Sequence, residues 1–283
     1  MACFIIPVYP PHFHYLSFLN DNNNIDIYLI LSYKNDYNIL QTYNYKNYKT
    51  IILEDYLTTD TINNIIAKNV IITFKKYFGL ELLYKKYEYI AIIDSEVKFK
   101  NTNKIYNLFK NYCDNKIILG TNIKKDNKFY NMVKDININS SMFFTITDLN
   151  ILKDKTNDFN FYFWFSDIPI YDCKYVSNYL NYIKFNDYIS FINLTNFYVF
   201  DYVSYIYYMI IYCNYTLVDI SKYNIERNWS LEGCKRDIYE KVVTDIKYAP
   251  LWIIDYCYTD NINENIILSY HIDRRQDHVL AHI

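Results

Sequence analysis

Two carboxylates, Asp94 and Glu96, stand one residue apart at the end of the apolar run Tyr89–Ile93 ("YIAII"). Two negative charges so close repel each other, and a positive group must offset that repulsion. Side chains at positions i and i+2 of a strand point to the same side, which predicts that both carboxylates aim at one point. That point lies beyond the strand's carboxyl end, where open α/β sheets bind their ligands.

The positive group best matched to this acidic pair is a hard divalent cation. Mg²⁺ and Mn²⁺ prefer carboxylate oxygens and keep coordination positions open for phosphate oxygens. The alternative is a solvated strand end that carries two surface acids. The apolar run before the pair favours the cation site. So does the alternation of strand-like and helix-like segments upstream of it.

The first half of the chain alternates strand-like and helix-like segments. Predicted strands cover residues 3–8 ("CFIIPV"), 25–32 and 49–55, and predicted helices cover 35–45 and 73–87. The second helix places Phe74, Phe78, Leu82 and Leu83 on one face. Such alternation is typical of a largely parallel sheet covered by helices on both faces, and we assign residues 1–120 to this doubly wound α/β half.

The second half is less regular. It predicts a strand followed by a helix over residues 140–152, capped by Thr147 or Asp148. An aromatic loop over 158–172 and helices over 173–185 and 202–212 follow. With 3 Gly and 5 Pro the chain has no flexible linker. We therefore expect a single domain over 1–283, whose second half spans 121–283.

Composition excludes several classes of protein. A net charge of −2 provides no overall positive field for nucleic acid. Six cysteines without a CxxC pair indicate reduced thiols in a cytoplasmic compartment. The opening "MACFIIPVYP" predicts a first strand rather than a signal peptide, and the apolar stretch 202–212 is too short for a transmembrane segment. The oligomeric state is open, and a homo-oligomer is compatible with the sequence.

The order of a first strand, the helix "KKYFGLELLYKKY" (75–87) and a strand ending in "IDSE" (93–96) resembles a known family. It is similar to nucleotide-sugar-dependent glycosyltransferases of the GT-A fold, which have a Rossmann-like, mostly parallel central sheet flanked by helices. Their signature is Asp-x-Asp, often varied to Asp-x-Glu, and Glu96 stands where Asp is usual. The likeness covers residues 3–100 and is strongest to glycosyltransferases of large DNA viruses, which suits the AT-rich codon composition and a host-cytoplasmic location.

The resemblance implies a metal-dependent hexosyl- or pentosyltransferase. Such an enzyme moves a sugar from a nucleoside-diphosphate sugar, most commonly UDP-linked, to a glycan or glycoprotein acceptor, with Mn²⁺ or Mg²⁺ bridging the two phosphates. The implied nucleotide-sugar site comprises Pro7, Val8, Tyr9, Ser32, Lys76, Asp94 and Ser95, with Lys75 as a further candidate beside Lys76. The implied metal ligands are Asp94, Glu96 and His271, and His278 and His282 are alternatives to His271.

An inverting transfer also needs a carboxylate base for the acceptor hydroxyl. Asp167, within the aromatic loop, is the first candidate, and Glu232 beside Trp229 is the second. The loop's aromatic rings could form a sugar platform or could belong to the core, with Asp167 as a cap. A retaining enzyme would need no such base, and the sequence leaves the stereochemistry open.

Two other functions remain compatible with the residues. A sugar nucleotidyltransferase also pairs an acidic strand end with a metal, but those enzymes carry a glycine-rich loop after the first strand. Here that place reads "PVYPPHFHY", without glycine. A non-catalytic carbohydrate-binding protein of the same fold is the other alternative.

Overall fold

The structure is a computed structural model that describes residues 1–21, 24–95, 105–122, 125–126, 130–156, 161–162 and 169–219. The strands within these residues are β1 (Ala2–Pro7), β2 (Asp26–Leu31), β3 (Lys49–Ile52), β4 (Tyr89–Ile92), β5 (Ile117–Asn122), β6 (Phe161–Tyr162), β7 (Ile170–Asp172) and β8 (Thr216–Asp219). The α-helices are α1 (Lys34–Gln41), α2 (Thr59–Ala67), α3 (Ile71–Leu83), α4 (Ile105–Asn115), α5 (Tyr130–Ser140), α6 (Ile146–Thr156), α7 (Cys173–Tyr182), α8 (Tyr188–Leu194) and α9 (Asp201–Tyr212). Two 3-10 helices span Pro10–Asp21 and Leu53–Asp55.

A five-stranded sheet in the order β3-β2-β1-β4-β7 forms the centre. Strands β1 to β4 are parallel, and β7 runs antiparallel along β4. The prediction of a mostly parallel sheet flanked by helices is confirmed. Strands β5, β6 and β8 form a second sheet in the order β6-β5-β8.

Two apolar layers lie on opposite faces of the central sheet, because β1 alternates between them. Cys3 and Ile5 of β1 pack into one layer with residues of α3, α7 and α9, whereas Phe4 and Ile6 pack into the other with residues of α1, α4 and the first 3-10 helix. Burial on both faces explains why β1 reads as an unbroken apolar run.

Helix α3 lies very close to the sheet, and Gly79 permits this approach. A Cβ atom at Gly79 would come within 3.0 Å of Ile5 Cγ2 and 3.3 Å of Ile30 Cδ1. Three of the four residues predicted on the inner face, Phe74, Phe78 and Leu83, are buried. Leu82 is 37% exposed, so its assignment to that face is wrong. The helix still presents its apolar side to β1 and β2, and this fixes where its polar residues project.

Several predicted boundaries are wrong for local reasons. β3 ends at Ile52, and the next three residues form the 3-10 turn Leu53–Asp55. No strand occurs over residues 140–146, all of which the structure describes, because α5 continues to Ser140. The cap of α6 is Thr145: its Oγ1 accepts a hydrogen bond from the Asp148 backbone N–H at 3.2 Å, and the Asp148 carboxylate accepts one from the Thr145 N–H at 3.0 Å. This reciprocal pair sets the start of the helix.

Within the described ranges, no helix is both long and apolar enough to cross a bilayer. The assignment of residues 1–283 to a single domain stays a prediction, since residues 220–283 lie outside the described part of the chain.

Candidate functional site

The loops after β1 and β4 meet at the carboxyl edge of the sheet. The chain passes from β1 outward to β2 and β3 and then returns to the other side of β1 with β4. The strand order therefore reverses between β1 and β4. In open α/β sheets a crevice forms beyond the strand ends at this reversal, and ligands bind there. Pro7, Val8 and Tyr9 close β1 on one side of it, and Asp94 and Ser95 follow β4 on the other.

Hydrogen bonds join these two loops through His12. The Tyr9 hydroxyl lies 2.6 Å from His12 Nε2, and His12 Nδ1 lies 3.2 Å from the Ser95 hydroxyl. The Tyr9 ring is 40% exposed and packs against the imidazole, with 4.2 Å between ring centroids, whereas Ser95 is 3% exposed. The contact fixes the loop after β1 against the loop after β4. His12 is not among the site residues that the sequence predicts, and the structure adds it.

Lys75 fastens the same loop from the opposite side. Its ammonium donates a hydrogen bond to the Val8 carbonyl oxygen at 2.6 Å, and the residue is 1% exposed. Burial lowers the pKa of Lys75 to about 8, although the charge of Asp36 acts in the opposite direction. Because this ammonium contacts the backbone and is buried, it holds the loop and is not available to a ligand in this conformation. Val8 is 0% exposed and Pro7 is also buried, so Tyr9 is the residue of this trio that reaches the surface.

Lys76, the next residue of α3, lies between two carboxylates. Its Nζ is 3.5 Å from Asp201 Oδ1 and 3.9 Å from Asp94 Oδ1. The three side chains differ in exposure: 3% for Asp201, 15% for Lys76 and 51% for Asp94. The sequence predicts Lys76 and Asp94 as site residues, whereas Asp201 is identified by the structure. The result is a positive charge beside an open carboxylate at the edge of the crevice.

Asp94 lies outside the strand, so strand alternation does not set its direction, and the convergence of Asp94 with Glu96 stays a prediction. β4 ends at Ile92, and the Ile93 N–H still donates to the Ile5 carbonyl at 3.0 Å before the chain leaves the sheet. The loop therefore sets the direction of Asp94.

Ser32, after β2, is 6% exposed, and its N–H lies 3.3 Å from the carboxylate of Asp36. This contact stabilises the loop and leaves little of Ser32 at the surface.

The donor chemistry at this edge fits a hard divalent cation in type, because Asp94 presents a half-exposed carboxylate. In the described part of the chain, however, no three His, Cys, Asp or Glu residues cluster as a complete metal site. The other predicted ligands, Glu96 and His271, lie outside the described residues, as do the proposed bases Asp167 and Glu232. Asp94 would therefore share a cation with ligands beyond the described ranges or with phosphate oxygens.

Comparison with known proteins gives little. No protein-family model and no curated protein matches the sequence. Among solved structures, the chain is similar to the apo form of mouse xyloside xylosyltransferase 1, with 9% sequence identity and a TM-score of 0.40. That match covers 96% of this chain and 97% of the other. So loose a superposition assigns no activity, and the likeness to viral enzymes stays a prediction.

Proposed function

We propose that the chain is a metal-dependent glycosyltransferase that transfers a sugar from a nucleoside-diphosphate sugar to a glycan or protein-linked acceptor. The observation that carries the proposal is the pairing of two loops at the strand-order reversal. One presents an exposed aromatic ring, Tyr9, and the other presents the half-exposed Asp94 beside Lys76. A nucleoside diphosphate has matching parts, namely a flat base and a pyrophosphate that needs positive charge.

Each residue of this edge has a role in the proposal. The Tyr9 ring flanks the base, since aromatic faces stack on planar rings. The ammonium of Lys76 contacts the diphosphate. Ser95 belongs to the loop after β4, next to Asp94. Asp94, with Glu96 and His271 as proposed partners, holds Mn²⁺ or Mg²⁺. When bound, the cation neutralises charge on the departing diphosphate, which lowers the barrier by several kcal/mol. Asp167 and Glu232 are the proposed bases for the acceptor hydroxyl.

UDP is the proposed nucleotide, and calorimetric titration tests both it and the metal dependence. We expect UDP to bind the full chain in the presence of Mn²⁺, to bind poorly after chelation, and to exceed uridine in affinity. Equal UDP affinity with and without Mn²⁺ would remove the metal from the proposal. Binding of a free sugar without metal or nucleotide would instead favour a carbohydrate-binding protein. Tighter binding of a nucleoside triphosphate than of UDP would favour a sugar nucleotidyltransferase.

The nucleotide base of the donor is identified by a thermal-shift panel of UDP-, GDP- and dTDP-sugars in the presence of Mn²⁺. A ligand that binds only the folded state raises the melting temperature according to its affinity. We expect the largest rise with a UDP-sugar. A larger rise with another nucleotide would change the donor and leave the reaction class intact.

A further inference from the structure

The buried carboxylate of Asp201 anchors Lys76. Asp201 begins α9 and is 2% exposed, and its Oδ2 accepts a hydrogen bond from the Tyr171 hydroxyl at 2.5 Å. Its Oδ1 faces the Lys76 ammonium at 3.5 Å. A buried carboxylate is costly without a compensating positive charge, so Asp201 keeps the ammonium of Lys76 in this part of the molecule.

The same ammonium partly compensates Asp94. Their separation of 3.9 Å is within reach of an ion pair but longer than the distance of about 2.7–2.9 Å that is usual for a charged hydrogen bond. The Asp94 carboxylate therefore has a neighbouring positive charge and yet keeps half of its surface open. A cation that approached from the solvent would meet both the carboxylate and the repulsion of Lys76.

We propose that Lys76 is the resident counter-ion of Asp94, anchored by Asp201, and that a divalent cation replaces it at Asp94 while the ammonium contacts the donor's phosphates. This inference rests on the proposed function and adds an interdependence between its two ligands. The cation alone binds weakly because Lys76 opposes it. A diphosphate between the two positive charges removes that repulsion, so metal and nucleotide each raise the affinity of the other.

Titration of Mn²⁺ without nucleotide, followed by the paramagnetic resonance of the free ion, tests the proposal. We expect Lys76→Met to bind Mn²⁺ about tenfold more tightly than the wild type, or about 1.4 kcal/mol. The same variant should bind UDP in the presence of Mn²⁺ about tenfold more weakly. A merely structural role for Lys76 would not produce opposite changes for the two ligands. Unchanged or weaker Mn²⁺ binding by Lys76→Met would overturn the proposal.

Two controls isolate the charge. Lys76→Arg keeps the positive charge and should retain the wild-type affinity for Mn²⁺. Lys110→Met removes a lysine from the Lys110–Asp114 pair, whose side chains are 48% and 50% exposed. It changes the net charge by the same amount as Lys76→Met but should leave both affinities unchanged. Tighter Mn²⁺ binding by Lys110→Met would reduce the effect to net charge and overturn the assignment.

Lys76→Met leaves the carboxylate of Asp201 buried without its lysine, and this destabilises the fold. A second variant therefore removes that carboxylate as well. Lys76→Met with Asp201→Asn removes both charges and should still bind Mn²⁺ alone more tightly than the wild type; failure to do so would contradict the proposal. Suppose that Mn²⁺ binding tightens as expected but the wild type binds no UDP in its presence. Then the transferase proposal fails, and the counter-ion role of Lys76 stands.

Discussion

The two edges of the central sheet both carry acids and lysines, but they use them differently. At the amino edge, where β2 begins, Asp26 lies 2.6 Å from the Lys49 ammonium and also accepts a hydrogen bond from the Tyr87 hydroxyl. Glu88, before β4, contacts the amino group of Met1 and accepts a bond from the Tyr106 hydroxyl at 2.8 Å. These acids have close, direct partners.

Beyond β2 and β3 the carboxyl edge also has a close pair, Lys34 and Asp55 at 3.1 Å, but beyond β1 and β4 the charges lie farther apart. Among the described residues, the Lys76 ammonium lies 3.5 Å from Asp201 and 3.9 Å from Asp94, and half of the Asp94 side chain is exposed. The contrast teaches that charge as such does not mark a site in this chain. The informative feature is a carboxylate with a lysine ammonium nearby but beyond hydrogen-bond distance. It lies at the edge where the loops of a parallel sheet converge.

Asp94→Asn should give the largest effect, and Asp114→Asn is its matched control. Both aspartates are about half exposed, at 51% and 50%, and each has a lysine neighbour. Asp114 lies on α4, where its charge adds to the effect of burial in raising the pKa of Tyr89, the first residue of β4 at the amino edge. We expect Asp94→Asn to lower Mn²⁺-dependent UDP affinity at least about a hundredfold, or about 3 kcal/mol, and Asp114→Asn to leave it unchanged. Calorimetry at fixed Mn²⁺ measures the UDP affinity of both variants. Equal losses of affinity would contradict the difference between the two edges.

Lys75→Met should change the pH dependence of stability by about 2 kcal/mol. In the folded chain burial lowers the pKa of Lys75 to about 8, whereas the unfolded chain keeps the ordinary value near 10.5. Between these values the unfolded state binds more protons, so the stability of the wild type rises with pH. From pH 7 to 9.5 it should gain about 2 kcal/mol relative to the variant, which lacks this group.

Urea unfolding of both proteins across that pH range measures the difference. If the stability of both proteins changed with pH in the same way, the prediction would fail, because burial would then not lower the pKa of Lys75. The variant also loses the hydrogen bond to the Val8 carbonyl, and we expect weaker UDP binding because the loop with Tyr9 is less firmly held.

Much of the fold follows from the sequence because buried parallel strands are unbroken apolar runs. β1, β2 and β4 are predicted for this reason, and β3 is predicted too long because its apolar run continues through Leu53, which begins the 3-10 turn Leu53–Asp55. The sequence prediction starts α6 a few residues too late. The signal was present, since Thr145 and Asp148 have the spacing of a capping box, in which the first residue rather than the last is the cap.

The candidate site is only half visible in the sequence. Tyr9 and Asp94 follow apolar runs directly, and the rule for parallel sheets places both at one edge. Asp201 has no such signal, because an aspartate in the first turn of a helix is ordinary. Only the packing of α9 near α3 and the Tyr171 hydroxyl bring Asp201 to Lys76. Long-range packing of this kind cannot be derived from local patterns.

Asp26→Asn should give the smallest effect, and it tests the amino edge directly. Burial raises the pKa of Asp26, but the hydrogen bonds from Lys49 and Tyr87 outweigh it and leave the pKa below its ordinary value. Asp26 therefore stabilises the fold above the unfolded pKa, and this contribution is lost as the pH falls through the folded pKa. Its side chain is 39% exposed, so solvent screening limits the loss in the variant to about 1 kcal/mol near pH 7.

Urea unfolding should show that loss shrinking toward acid pH, where the wild-type carboxylate becomes protonated. UDP affinity at fixed Mn²⁺ should stay at the wild-type value, since Asp26 lies at the opposite end of the strands from Tyr9 and Asp94. A variant that keeps its stability but loses UDP binding would contradict the division of roles, because it would place ligand-binding charge at the amino edge.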